Sequence, residues 1–122
     1  MLTIRQFATV CLVCLGLTVT AATVRADERD NVSMMGKTII KGARPFGASD
    51  NMTLKDYSWS GDTLTITMNW DGKNGYEYTS RITLEYSGKR IVSHKYEDDT
   101  FVFKPSMSGV QSAVSRLDGF RP

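Results

Sequence analysis

The chain has 122 residues, with 15 Lys and Arg against 13 Asp and Glu, and two cysteines. That length allows one small domain, and the near-balanced charge lacks the basic run or stripe of a nucleic-acid footprint. Cys11 and Cys14 both lie in an apolar N-terminal stretch, so the remainder can form neither a disulfide nor a thiolate zinc site.

The first 26 residues read as an export signal. Arg5 supplies the positive flank, Phe7 to Leu17 the apolar run, and Val24-Arg25-Ala26 the short side chains before a cut. The apolar run falls short of the roughly 20 residues a comfortable bilayer span needs, so cleavage near Ala26 is expected over a retained anchor. The product is periplasmic or secreted, starts at Asp27, and loses Arg5 and Arg25, which brings it close to neutral. About 96 residues must then be stable through packing or association alone.

Residues 27–36 are polar, charged and without period, and predict a flexible arm. Thr38-Ile39-Ile40, within Lys37 to Lys41, predicts a short strand. Gly42 to Asn51 predicts a loop punctuated by Arg44-Pro45-Phe46-Gly47 and pinned by Phe46.

From Met52 onward the pattern alternates. Leu64, Ile66, Met68 and Trp70 share one strand face, with Thr63, Thr65, Thr67 and Asn69 on the other; Tyr76, Tyr78, Ser80, Ile82, Leu84 and Tyr86 continue the period of two. A two-residue turn at Gly61-Asp62 pairs Trp59 with Leu64 and Tyr57 with Ile66. A five-residue loop, Asp71 to Gly75, pairs Trp70 with Tyr76, Met68 with Tyr78 and Leu64 with Ile82. A three-residue turn at Ser87-Gly88-Lys89 pairs Leu84 with Val92 and Ile82 with His94, a two-residue Ser87-Gly88 turn being the alternative. A last hairpin at Glu97 to Thr100 sets Phe101 opposite Tyr96 and Phe103 opposite His94.

After Lys104-Pro105 the period changes to that of a helix, about 109–118. Val110, Ala113, Val114 and Leu117 fall on one face, Ser108 with Gln111 forms a capping-box pattern, and Gly119 marks the stop. The expected fold is α+β, mainly β: an antiparallel β-meander of five to six strands, open or curled into a partial barrel, packed by one C-terminal helix. One helix about 10–12 Å across cannot cover five strands at about 4.8 Å spacing. The segment around Ile39, Ile40 and Phe46, a second copy, or a ligand must shield the remainder.

Candidate chemistry is sparse. His94, the one histidine, is expected among Ile82 and Phe103, where it reads as a packing residue; a His94-dependent hydrolase is the low-ranked alternative. No Gly-x-Ser-x-Gly elbow occurs, and one histidine cannot build a two- or three-histidine zinc centre. Glu97-Asp98-Asp99 reads as a solvated hairpin tip rather than a calcium site. The threonine face reflects β-propensity rather than an ice- or glycan-binding surface. Asn31 and Asn51 head short matches to the glycosylation sequon.

The expectation is therefore a small exported non-enzymatic binding module with no cofactor and no metal. It would recognise a protein or apolar ligand through Tyr57, Trp59, Trp70, Tyr76 and Tyr78, whose rings give rigid contact area with polar tips, or through its hairpin loops. An envelope-enzyme inhibitor or immunity-like protein, and a self-associating structural subunit, are the alternatives. Neither nucleic acid nor a stable membrane span after processing is expected.

Overall fold

The computed structural model describes residues 27–100 and 103–122. The expected signal peptide lies outside the described residues, as does Phe101. Two compact units divide between Asp30 and Asn31; of the first, only residues 27–30 are described, and they are helical. The second holds the rest of the first helix, four strands and the last helix.

Helix α1 (residues 27–43) replaces both the flexible arm and the strand expected over Lys37 to Lys41. The reason is visible once the two segments are joined. Val32, Met35, Gly36, Ile39, Ile40 and Ala43 are all buried and recur at steps of three and four, the period of one helical face. Divided at residue 36, neither half is long enough to show it.

The sheet is β1 (Ala48–Ser60), β2 (Thr63–Gly72), β3 (Glu77–Ser87) and β4 (Arg90–Asp98), antiparallel neighbours in chain order. It is an open four-stranded meander, not one of five or six strands. The expected fifth strand does not form in its described part: residue 103 lies in a bend and 104–106 are irregular. The inner face carries Leu64, Ile66, Met68, Trp70, Ile82, Leu84, Tyr86 and Tyr96, all buried.

Turn chemistry sets the register. Gly61 at φ 60° opens the two-residue β1–β2 loop, where a left-handed first residue matches strand twist, and Trp59 meets Leu64 and Tyr57 meets Ile66 as predicted. A bulge between Leu54 and Asp56 lets Leu54 and Tyr57 both pack inward despite their odd spacing.

The other two hairpins are each displaced by two residues. Trp70 faces Tyr78, Met68 faces Ser80 and Leu64 faces Leu84; the β2–β3 loop is residues 73–76, closed by Gly72 N–H donating to the Tyr76 carbonyl at 2.8 Å. Between β3 and β4 the turn is Gly88-Lys89, with Gly88 at φ 61°, and Leu84 meets His94 while Ile82 meets Tyr96. A bulge beside Tyr86 absorbs Val92, which is exposed instead of inward. A shift of two preserves every face, so patterning alone could not detect it.

Helix α2 (Met107–Leu117) starts two residues before the expected 109. Its N-cap is Ser106, not Ser108: the Ser106 hydroxyl accepts from the Gly109 N–H at 3.1 Å. Ser106→Ala should lower stability by about 1 kcal/mol; an unchanged urea midpoint would show that the cap contributes nothing. Val110, Ala113, Val114 and Leu117 are buried as predicted.

The cover for the sheet is thus a second helix. Two helices of roughly 10 Å match four strands totalling about 19 Å. They approach closely where α1 ends and α2 begins, because Gly42 and Gly109 present no side chains there: a Cβ on Gly109 would lie 2.8 Å from the Gly42 carbonyl carbon. Ser106 N–H also donates to the Ala43 carbonyl at 2.8 Å.

Candidate functional site

The five aromatics do not form one surface. Trp70 is 2% exposed, its indole N–H donates to Ser80 Oγ at 2.8 Å, and its ring lies 4.9 Å from that of Tyr78. Tyr78 is half-buried and its hydroxyl accepts from the Asn74 amide at 2.8 Å. Tyr76 stands in solvent at the β2–β3 loop.

Trp59 and Tyr57 belong to the other end of β1, since Met52 pairs with Trp70 but Trp59 with Leu64. Seven residues of strand separate these points, about 23 Å. Trp59 packs 5.7 Å from Tyr86, and the Arg121 guanidinium covers both rings at 4.9 and 5.4 Å. Arg121 is held by Asp62 at 2.8 Å and by the Gly88 carbonyl at 2.9 Å. The Tyr86 hydroxyl is buried with no hydrogen-bond partner among the described residues, and burial pushes it up to about 12, against the lowering effect of Arg121.

At the Trp70 end a polar chain crosses the molecule. Ser80 Oγ and the Tyr96 hydroxyl lie 2.8 Å apart, and the Tyr96 hydroxyl donates to Asp98 Oδ2 at 2.8 Å. Arg44 grips the same carboxylate bidentately, Nε to Oδ2 at 2.9 Å and Nη2 to Oδ1 at 2.8 Å, with side chains only 7% and 2% exposed. Thr100 Oγ1 donates to Asp98 Oδ1 at 2.7 Å and accepts from Arg44, whose Nη1 also donates to the Phe103 carbonyl at 2.5 Å.

Electrostatics agree with this geometry. Burial alone would raise the Asp98 carboxyl, but hydrogen bonds from Arg44, Thr100 and Tyr96 outweigh it and hold it below the usual range. Burial likewise works against the Arg44 charge, and Asp98 reverses the effect, leaving it raised. The Tyr96 hydroxyl is driven well above its ordinary value, first by burial. Asp98 is therefore not part of a solvated tip. Its neighbour Asp99 accepts from the Thr79 N–H at 2.9 Å, and Glu97 lies 3.7 Å from Lys95.

This network positions a surface. Arg44 follows α1 directly, its N–H donating to the Ile40 carbonyl at 2.8 Å, and it ties the 45–47 turn and the segment from Phe103 to β4. Between those walls lies an open groove of about 490 Å³, lined by Ala43 to Gly47, Phe103, Lys104 and Ser106. Phe46 is 87% and Phe103 76% exposed, so neither serves the core, and Phe46 does not pin its loop.

His94 sits on β4 opposite Leu84, half-buried, rather than against Ile82. Among the described residues no three His, Cys, Asp or Glu side chains gather as a metal site, and no helix is long and apolar enough to cross a membrane.

Sequence reasoning missed the Arg44–Asp98 pair because 54 residues separate its members. One signal was available: Ser80 breaks an inward row of Tyr78, Ile82 and Leu84, and a polar residue there requires a buried partner. No family model, curated protein or solved structure matches the chain.

Proposed function

We propose that the chain is an exported, non-enzymatic binding module whose contact surface is the groove between the 45–47 turn and residues 103–106. The observation that carries this reading is the pair Phe46 and Phe103, both held out in solvent. A bulky apolar side chain left so exposed on each wall of one groove forms the kind of apolar patch that marks interaction sites. Beneath it, the Arg44–Asp98 network holds both walls to the sheet, so the surface is preorganised before any partner arrives.

Export rests on the N-terminal pattern of Arg5, Phe7 to Leu17 and Val24 to Ala26. Trp70 and Tyr78 act behind the groove, as support more than contact. Together with Arg44, Gly47 and Phe103, Trp70 and Tyr78 line a smaller recess of about 60 Å³.

The test is native mass measurement of the chain purified from its host, beside a Phe46→Ser/Phe103→Ser variant. A bound polypeptide or small molecule present on the parent chain and lost from the variant is the expected result. Retention of that mass by a variant with an unchanged unfolding midpoint would move the contact surface elsewhere.

A further inference from the structure

Two further depressions, of about 470 and 400 Å³, share the exposed Pro45 with the groove. Their charge is one-sided. Lys41 and Lys73 line one, Lys41 and Arg116 the other, and Lys104 the groove itself. The carboxylate among these lining residues is Asp50, which lies 3.2 Å from Lys41. Arg44 adds no net charge, because Asp98 neutralises it.

Two protruding phenylalanines inside a cationic surround have the composition of an interfacial anchor: rings enter the headgroup boundary while lysine and arginine meet anionic headgroups. The groove is open to solvent and both of its phenylalanines stand out from it rather than lining an enclosed cavity, a geometry suited to meeting a surface. Resting on the reading of this groove as the contact surface, we propose that its occupant is an anionic lipid surface. Phe46 and Phe103 enter the headgroup layer, and Lys73, Lys104 and Arg116 bind it electrostatically, Lys41 being offset by Asp50.

The test reads one position, so that the N-terminal apolar segment cannot supply the signal. An environment-sensitive NBD label is placed at position 46 of the full chain carrying Phe46→Cys, Cys11→Ser and Cys14→Ser; a control carries it at position 55 through Lys55→Cys, on β1. Vesicles with about one-third phosphatidylglycerol in phosphatidylcholine should raise and blue-shift the emission at 46 several-fold, and leave 55 unchanged.

Pure phosphatidylcholine should give little response, and raising salt to about 0.5 M should suppress the signal. Lys73→Glu/Lys104→Glu should weaken it at least tenfold, with an unchanged unfolding midpoint. Silence at 46, or an equal response to neutral vesicles, would overturn the proposal. So would a response to monomeric decanoate without one to vesicles, which would assign the groove to a small anionic amphiphile. If vesicles fail while the Phe46/Phe103 variant still loses a copurifying polypeptide, the lipid inference falls and the binding-module reading stands.

Discussion

Asp98→Ala should destabilise the protein by about 3–5 kcal/mol, a large part of the roughly 5–15 kcal/mol typical of a domain. The substitution leaves the Arg44 guanidinium buried without its counter-charge and removes an acceptor from Tyr96 and Thr100. Urea unfolding followed by tryptophan emission measures it directly, since Trp70 joins the same hydrogen-bonded chain through Ser80. The double variant Arg44→Met/Asp98→Leu should recover much of the loss, because replacing both charges by apolar side chains also removes their desolvation cost. A cost below about 1 kcal/mol for Asp98→Ala would show that the pair does not hold the groove walls.

The same carboxylate sets the acid limb of stability. Its folded value lies below the ordinary aspartate value, so in mild acid the unfolded chain takes up a proton that the native state refuses. The contribution is complete above about pH 4 and is lost as pH falls through the lowered folded value. At the alkaline end the sign reverses: the raised Tyr86 contributes fully below its ordinary value near 10, and the contribution is lost as pH rises toward about 12. Asp98→Asn should flatten the acid limb and, because Asp98 also helps to raise Tyr96, bring the Tyr96 part of the alkaline loss to lower pH while leaving that of Tyr86; an acid midpoint identical to the parent's would contradict the assignment.

Gly109→Ala should be destabilising by about 2–3 kcal/mol, although alanine in place of glycine within a helix ordinarily stabilises by about 1 kcal/mol. The reversal of sign is the diagnostic. The added Cβ would meet the backbone of Gly42, and a carbonyl group cannot rotate away as a flexible side chain can. The helices would have to separate where α1 turns into the groove wall, so the variant should also alter the emission of a probe at position 46. Gly47→Ala is the control, because a Cβ there meets nothing within 4 Å. Equal stabilities for the two variants would mean that the helix crossing yields freely.

The strand faces, the antiparallel meander and the C-terminal helix were legible in the sequence because they depend on local period alone. Leu64 to Trp70 and Ile82 to Tyr86 face inward under any pairing of the right parity. Helix α1 was legible in principle, but its stripe of Val32, Met35, Ile39, Ile40 and Ala43 emerges only across the point at which polarity had divided the segment.

The tertiary structure decided what period cannot encode. Register slipped by two at two hairpins because glycine conformation and a bulge, not face matching, position a turn. The second helix closed the face that the sequence left uncovered, which moved Trp70 inside and left Phe46 and Phe103 outside. The pairing of Arg44 with Asp98 arises only when the end of α1 reaches β4. A charge's burial and its partner are properties of distance in space, and a separation of 54 residues carries no trace of that distance.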